Sequence, residues 1–197
     1  MIYNKNNLAV AKIASKNKSR RSIAGVLFTP EKTVATDSFR LIEMSVPKDV
    51  KADAFPMPEG MKADNFVGSF VIDAESLKGF TLPNVSSMPI LNNTVVSKQD
   101  EKSVDFFRKD LNNESFQTFR KVDEDYPEYE GIFPTGKPQA EISVNAKFLK
   151  DLVGILGNLD KQSSKVRIAI YPNGKPMVIT AKNNEQEGRA MLMPISE

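Results

Sequence analysis

The sequence predicts an α+β fold made of three copies of one repeat, in which a strand and a helix are followed by three more strands. Two observations support this prediction. Short stretches typical of strands recur between turn residues, and the opening strand of each repeat is followed by a helix signal, either an apolar face or a capping residue. Each repeat is amphipathic and too small to bury its own sheet. The repeats are therefore expected to pack on one another.

The first repeat opens with a short strand at residues 2–4. An approximate apolar helix face follows, formed by Leu8, Ala11, Ile13 and Ala14. The remaining strands are predicted at residues 25–28, 32–35 and 41–45, which are rich in apolar and β-branched side chains.

The second repeat opens with a strand at residues 68–72. A short helix is predicted from Asp73 or Ala74 to about Phe80, because the Asp73 side chain is suited to cap a helix N-terminus. Its later strands are predicted at residues 94–97, 103–108 and 115–122.

The third repeat has the clearest pattern. A strand at residues 141–144 leads to Asn145, which can cap a helix. The apolar stripe of that helix consists of Phe148, Leu149, Leu152, Val153, Ile155 and Leu156. The strands that follow are predicted at residues 166–171, 177–181 and 189–193.

Two segments are predicted to connect the repeats. Residues 46–67 contain prolines and several charges, which indicates a loose connection or a flexible flap. Residues 135–138 contain Gly and Pro and indicate a shorter linker. The chain is thus divided into a domain of repeats one and two, residues 1–135, and a half-domain of repeat three, residues 139–197.

Composition weighs against most enzyme chemistry. The 197 residues include no cysteine and no histidine, so disulfides, thiolate nucleophiles and the commonest general base and transition-metal ligand are excluded. We find no phosphate-binding loop, nucleophile elbow or dinucleotide-binding turn. We expect a non-enzymatic protein without a cofactor or metal. No apolar stretch approaches the length of a membrane span, so the expected location is the cytoplasm.

The positive charge is concentrated near the N-terminus. Residues 1–51 hold ten Lys and Arg against four Asp and Glu, whereas residues 52–197 hold seventeen against twenty-one. The first helix and the loop after it carry a basic cluster made of Lys12, Lys16, Lys18, Arg20 and Arg21. This cluster is a candidate surface for a polyanion. The alternative is a solvated helix end whose cations favour the helix dipole.

An acidic segment lies near the end of the second repeat. Asp123, Glu124 and Asp125 are followed by Glu128 and Glu130, and such a group could bind a divalent cation. Their spacing matches no EF-hand loop, so a solvated acidic loop is the preferred interpretation.

Three motifs occur in one order along the chain. They are Val34-Ala35-Thr36-Asp37-Ser38-Phe39-Arg40-Leu41, the segment Tyr126-Pro127-Glu128-Tyr129-Glu130-Gly131-Ile132-Phe133-Pro134, and the C-terminal Met191-Leu192-Met193-Pro194-Ile195. Taken alone, the first could simply be a strand end and a turn, because Asp and Ser bond readily to nearby backbone. Together the motifs resemble the ATDGHRL signature, the FPDYxxVxP stretch and the VVMPM tail of the bacterial DNA polymerase sliding clamp, the beta subunit. The chain has Ser38-Phe39 where that family has Gly-His.

This resemblance implies a DNA-clamp fold of reduced size, from a bacterium or a bacteriophage. In that fold, repeated β-α-β-β-β units place antiparallel sheets outside and helices inside. Repeats one and two resemble the middle clamp domain, and repeat three resembles the second half of the last domain. The usual clamp chain has three domains, so the sequence corresponds to about half of one.

The resemblance also implies a groove that binds short peptide motifs of polymerases and clamp loaders. The residues at the matching positions are Ile23, Thr36, Ser38, Phe39, Arg40, Leu41, Pro127, Ile132, Met191, Met193 and Pro194. The apolar members would form walls, and Thr36 and Arg40 would contact polar atoms of the peptide. The alternative for each apolar residue is packing in the core.

The resemblance further implies non-specific binding to the phosphates of double-stranded DNA by the basic cluster, with Lys147 and Lys150 of the third helix as weaker candidates. The predicted function is therefore that of a sliding-clamp-like processivity factor that forms a homo-oligomer, a dimer or tetramer. The alternative is a peptide-binding adaptor or decoy that forms no ring around DNA.

Overall fold

The structure, a computed structural model, describes residues 1–48, 50–61, 68–160, 162–172 and 174–195. The chain forms two compact units, Met1–Gly131 and Ile132–Glu197. Within the described ranges, no helix is long and apolar enough to cross a membrane. The fold is α+β with antiparallel sheets, as the sequence predicts.

The first repeat contains β1 (Ile2–Asn4), α1 (Lys5–Ala9), α2 (Arg21–Ala24), β2 (Gly25–Phe28), β3 (Lys32–Thr36) and β4 (Leu41–Ser45). Asn4 caps α1, because its side chain accepts hydrogen bonds from the backbone N–H groups of Asn6 and Asn7. The predicted helix is shorter than its apolar face suggests, and it continues only as a 3-10 turn at Val10–Lys12. All four predicted strands of this repeat are present.

The second repeat contains β5 (Phe70–Asp73), β6 (Asn93–Gln99), β7 (Ser103–Lys109) and β8 (Glu114–Arg120). The helix predicted after Asp73 is wrong. Asp73 does accept from the N–H groups of Glu75 and Ser76, but the bonds that follow span three residues, as from Phe80 N to Leu77 O. Gly79 has a φ of +85°, which breaks a helix, so the segment folds as successive turns.

The two repeats of the first unit exchange their opening strands. The sheets have the strand orders β1-β6-β7-β8 and β4-β3-β2-β5, so β1 joins the sheet of repeat two and β5 joins the sheet of repeat one. The two sheets meet where the backbone N–H of Val122, just beyond β8, donates to the carbonyl of Val71 at 2.8 Å. Neither repeat therefore has a complete sheet without the other.

A cluster of aromatic side chains from both sheets forms the main core. Phe106 lies at its centre, with ring centroids 5.3–6.3 Å from five other rings, those of Tyr3, Phe28, Phe70, Phe80 and Phe119. Burial of these rings makes a large apolar contribution to the stability of the first unit. The same burial raises the pKa of the Tyr3 phenol far above its usual value.

The connection between the repeats is anchored rather than loose around Phe55. This ring is buried with Ile2, Leu91, Val95 and Phe107, and its centroid lies 5.9 Å from that of Phe107. The prediction of a loose connection is therefore wrong for this segment. Residues 49 and 62–67 of the predicted flap lie outside the described residues.

The second unit contains α3 (Ala146–Gly157), β9 (Arg167–Ala169), β10 (Met177–Lys182) and β11 (Glu187–Leu192), with the strand order β11-β10-β9. Asn145 caps α3 as predicted, accepting from the N–H groups of Lys147 and Phe148. The apolar face of α3 packs on the sheet around Leu156, Met177 and Ile179. The predicted strand at residues 141–144 is not formed, although Ser143 O accepts a hydrogen bond from Ile195 N at 2.8 Å.

Candidate functional site

The turn between β3 and β4 is held by hydrogen bonds within the first motif. Asp37 Oδ1 accepts from the N–H groups of Phe39 and Arg40, and Thr36 donates its hydroxyl to Arg40 O at 2.7 Å. Ser38 has a φ of 79°, a left-handed conformation that favours glycine and is strained in serine. These bonds leave the Phe39 ring 95% exposed at the tip of the turn. The motif thus presents an aromatic side chain on a fixed backbone.

Arg40 also pairs with Asp37 through its side chain. The guanidinium donates to Asp37 Oδ2 from Nε at 3.0 Å and from Nη2 at 2.6 Å. These bonds, with those from the backbone of Phe39 and Arg40, lower the pKa of Asp37 from 3.8 to about 2. Nε and Nη2 of Arg40 are therefore hydrogen-bonded within the turn, and the other N–H groups of the guanidinium are available to a ligand.

The Asp37 carboxyl is expected to titrate with a midpoint near 2 in the folded protein. Because the folded pKa is depressed, the stabilisation is complete above the ordinary value of 3.8 and is lost as the pH falls towards 2. Arg40→Ala should raise the midpoint towards 3.8, as measured by carbon-detected NMR. An unchanged midpoint would show that the backbone bonds alone depress this pKa.

The second motif packs on the outer face of the sheet of repeat one. Tyr129 is buried against Leu27, Val34 and Val71, and Leu41 and Tyr126 are half-buried at the edge of this outer-face cluster. Pro127, between the two tyrosines, is exposed. The structure therefore brings Leu41 together with the segment that carries Pro127, and both belong to the predicted groove.

Lys32 stabilises the position of Tyr129. Its Nζ lies 5.1 Å from the centre of the Tyr129 ring, 2.9 Å from Glu43 Oε2 and 3.6 Å from Glu130 Oε1. The hydrogen bond to Glu43 raises the pKa of Lys32 well above its usual range, so the ammonium stays charged. Lys32 was not a candidate from the sequence, although it precedes the first motif by only two positions.

Ile23 differs from the other candidates, because it is 3% exposed. It lies in α2, and its carbonyl accepts from Ser15 N at 2.8 Å. In this conformation its side chain packs in the interior and offers no surface to a ligand.

The groove candidates of the second unit are mainly exposed apolar side chains. Met193 is 55% exposed, Ile132 and Met191 are also exposed, and Pro194 is half-buried. Met191 borders a shallow cavity of about 600 Å³ on the sheet, lined as well by Tyr171, Lys175, Pro176, Val178, Arg189 and Ala190. None of these six residues was a site candidate from the sequence, although alternation along β10 and β11 places Val178 and Arg189 on the same sheet face as Met191.

The basic cluster is exposed throughout. Lys12 lies in the 3-10 turn, Arg21 begins α2, and the other three cations lie in the loop between them. Hydrogen bonds from Asn17 N to Ser15 Oγ and from Ser19 N to Asn17 Oδ1 shape this loop. None of the salt bridges found among the described residues involves the cluster. Its charges are therefore available to an anionic partner.

Lys147 and Lys150 are exposed on the first turns of α3. They belong to the second unit and lie three residues apart, on neighbouring positions of the helix surface.

The acidic segment lines an open cavity of about 960 Å³ in the first unit. Glu124 Oε2 accepts from Ser22 N at 3.1 Å, at the start of α2. In the part of the chain that the structure describes, no group of three or more acidic side chains is arranged to hold a metal ion.

Comparison with known proteins relates the chain to DNA clamps through structure alone. No family model and no curated protein sequence matches it. The beta subunit of DNA polymerase from Streptococcus pyogenes superposes with a TM-score of 0.68 at 18% identity, covering 100% of this chain and 50% of that chain. The beta sliding clamp of C. crescentus superposes with a TM-score of 0.61 at 16% identity, covering 98% and 50%.

PCNA from Thermococcus kodakaraensis is also similar in structure. Its TM-score is 0.60 at 15% identity, and the match covers 98% of this chain and 72% of that chain. The chain spans about half the length of the bacterial clamp chains that it matches. At these levels of identity the comparison establishes the fold, and we conclude that the chain has the fold of the DNA polymerase sliding clamps.

Proposed function

We propose that the protein is a sliding-clamp-like processivity factor, which encircles duplex DNA and holds replication proteins on it. The observation that carries the proposal is the match of the entire chain to the clamp fold, with an exposed basic cluster in the 3-10 turn, the loop after it and the start of α2. The protein acts without catalysis, in the cytoplasm of a bacterium or of a phage-infected cell. The same kind of function is implied by the three motifs.

The basic cluster is suited to non-specific contact with phosphates. Lys and Arg side chains on a loop are mobile, and they read charge rather than base sequence. Such contacts hold a duplex and still allow the protein to move along it. Lys147 and Lys150 provide a second, smaller basic surface on α3.

The peptide partners bind through the residues of the three motifs. In the first unit these are the β3–β4 turn, Leu41 and Pro127, and in the second unit Ile132, Met191, Met193 and Pro194. Exposed methionines suit a surface that accepts several related peptides, because their side chains repack readily. Polymerase and clamp-loader peptides with leucine and phenylalanine anchors are the proposed ligands.

Encirclement of DNA requires more than one chain. The protein spans about half of a bacterial clamp chain, so the proposed ring is a homo-oligomer with an even number of chains, a dimer or tetramer.

Replacing Lys18, Arg20 and Arg21 with Ala should weaken binding to duplexes of unrelated sequence to a similar degree. The slope of log affinity against log salt should fall by about one for each phosphate that the variant no longer neutralises. Fluorescence anisotropy over a salt series measures both quantities. The matched control replaces Lys51, Lys98 and Lys182, which are also exposed and remove the same charge. Equal weakening in the two triple variants would contradict a specific role for the cluster.

The alternative function is an adaptor or decoy that binds clamp-directed peptides without forming a ring. The half-length match is the observation that favours it. Retention on nicked circular DNA and release after linearisation would support the clamp. A protein that binds the peptide, remains monomeric and shows no topological retention would be the adaptor.

A further inference from the structure

The exchange of opening strands in the first unit follows one register in both repeats. Each opening strand ends at a residue whose side chain caps the segment that follows. That residue lies opposite the first residue of the strand with which the opening strand pairs, β6 for β1 and β2 for β5. Asn4 lies opposite Asn93, and Asp73 lies opposite Gly25. The two repeats of the first unit thus complete each other's sheets in the same register.

The second unit contains one repeat. It has the contact between the end of the repeat and its opening segment, but within the described ranges its opening segment pairs with no second repeat. The bond from Ile195 N to Ser143 O corresponds to the bond from Val122 N to Val71 O, and both carbonyls lie two residues before a cap. On the other side of the repeat, β9 pairs only with β10 among the described residues. In the first unit β5 pairs with the free edge of β2, but no strand that the structure describes in the second unit pairs with the corresponding edge of β9.

The hairpin turns align the two sheets residue by residue. Asn183 N donates to Gln186 O just as Asp37 N donates to Arg40 O, so β10 aligns with β3. In this alignment Ile179 of β10 is equivalent to Thr33 of β3. Ile179 pairs with Ile168 on the neighbouring strand, and Thr33 pairs with Phe28. Ile168 is therefore the equivalent of Phe28.

The environments of these two equivalent residues differ. Phe28 is 0% exposed in the core between the sheets. Ile168 lies on the same sheet face as Ile179, which is also 0% exposed, yet Ile168 is 48% exposed. On α3, Phe148 and Ile155 are exposed as well. An apolar, core-type position is thus left open at the edge of β9.

We propose that a second copy of this chain covers that edge by reciprocal strand exchange between the two second units. The segment Ile142–Asn145 of each copy adds to β9 of the other, antiparallel and about a two-fold axis. With Ile168 in the place of Phe28, the pairing of β5 with β2 then puts Ile142 opposite Ile168, Val144 opposite Val166 and Asn145 opposite Lys165. The added pairing therefore extends two residues before the start of β9 at Arg167.

The residues at these positions suit the pairing. Ile142 and Val144 are partly buried apolar residues of the second-unit core, and they would meet Ile168 and Val166 on the core side of the sheet. Ser143 and Arg167 alternate with them and would face outward. A shift of one residue would place polar side chains against the core, so the sequence favours this register. This contact specifies one interface of the homo-oligomer in the proposed function and rests on that part of it, but it needs neither DNA nor a peptide.

The first test is the mass in solution. The parent is expected to be at least dimeric by light scattering at high concentration, and Ile168→Asp should dissociate the exchanged pair, since it places a carboxylate in the apolar contact. Because Ile168 is half exposed in the single chain, the variant should fold. The matched control is Leu111→Asp, at an exposed turn residue of the first unit, which should leave the mass unchanged. A monomeric parent, or an unchanged mass for Ile168→Asp, would overturn the proposal.

The second test uses the absence of native cysteine. A chain with Ile142→Cys, mixed with a chain with Ile168→Cys and oxidised, should form a disulfide-linked dimer on a non-reducing gel. Arg167→Cys in place of Ile168→Cys is the off-register control, because neighbouring strand residues face opposite sides. Equal cross-linking in both mixtures, or none in the first, would overturn the register and with it the exchange.

Discussion

Met193→Asp is expected to weaken strongly the binding of a peptide that carries a Leu-x-Leu-Phe type motif. Each apolar anchor of such a peptide contributes about 1.5–3 kcal/mol on burial, less the cost of ordering a flexible segment. A carboxylate in the proposed groove removes one anchor site, which raises the dissociation constant of the peptide by about tenfold to a hundredfold. Isothermal titration calorimetry or fluorescence anisotropy with a labelled peptide measures the change.

The fold of this variant should be intact, because Met193 is 55% exposed. Met88→Asp provides the matched control, since Met88 is exposed in the first unit and belongs to none of the three motifs. Unfolding of Met193→Asp would identify this methionine as a core residue. Peptide binding as tight as that of the parent would place the site elsewhere.

Phe106→Ala is expected to destabilise the first unit by about 3–5 kcal/mol. The ring is fully buried and contacts aromatic side chains of both sheets, so its removal leaves a cavity at the point where the repeats meet. Because a domain of this kind is stable by about 5–15 kcal/mol, the variant should lose much of its stability. Urea unfolding followed by circular dichroism measures the difference.

Phe116→Ala is the control for this experiment. Phe116 lies on β8 beside Phe107, but it is exposed, so its replacement should cost much less than that of Phe106. Similar destabilisation of the two variants would show that Phe106 is not the centre of the core.

The strands could be predicted where local signals agreed. In repeat one, turn residues flank each apolar stretch, and β2 and β4 have the predicted bounds. The helix after Asn145 was also predictable, because a cap precedes a long apolar stripe. After Asp73 the cap is present, but Gly79 and the shortness of the segment prevent a helix.

The pairing partners of the strands could not be predicted from local signals. The exchange of β1 and β5 depends on residues about 40 to 90 positions apart in the chain. The segment 141–144 has the sequence of a strand, but a strand forms only where another offers its edge. Burial of Phe55 likewise depends on contacts with Leu91 and Phe107, which its proline-rich surroundings do not reveal.

The candidate site stays a prediction, and only part of its local geometry could be anticipated. The first motif indicated a strand end and a turn, which the β3–β4 turn confirms, whereas the packing of the second motif on the outer-face cluster was not apparent from the sequence. The role of Lys32 and the burial of Ile23 depend on tertiary contacts and were not apparent. The joint groove of the three motifs stays a prediction.

The exchange of β1 and β5 also has a consequence for hydrogen exchange in the first unit. If one repeat opened alone, it would withdraw a strand from the sheet of the other, so partial opening is costly. Amide protons of β1 and β5 should therefore be protected to the same limit as those of β2 and β6, despite the shortness of both strands. The two repeats should melt in a single cooperative step, with neither persisting as an intermediate.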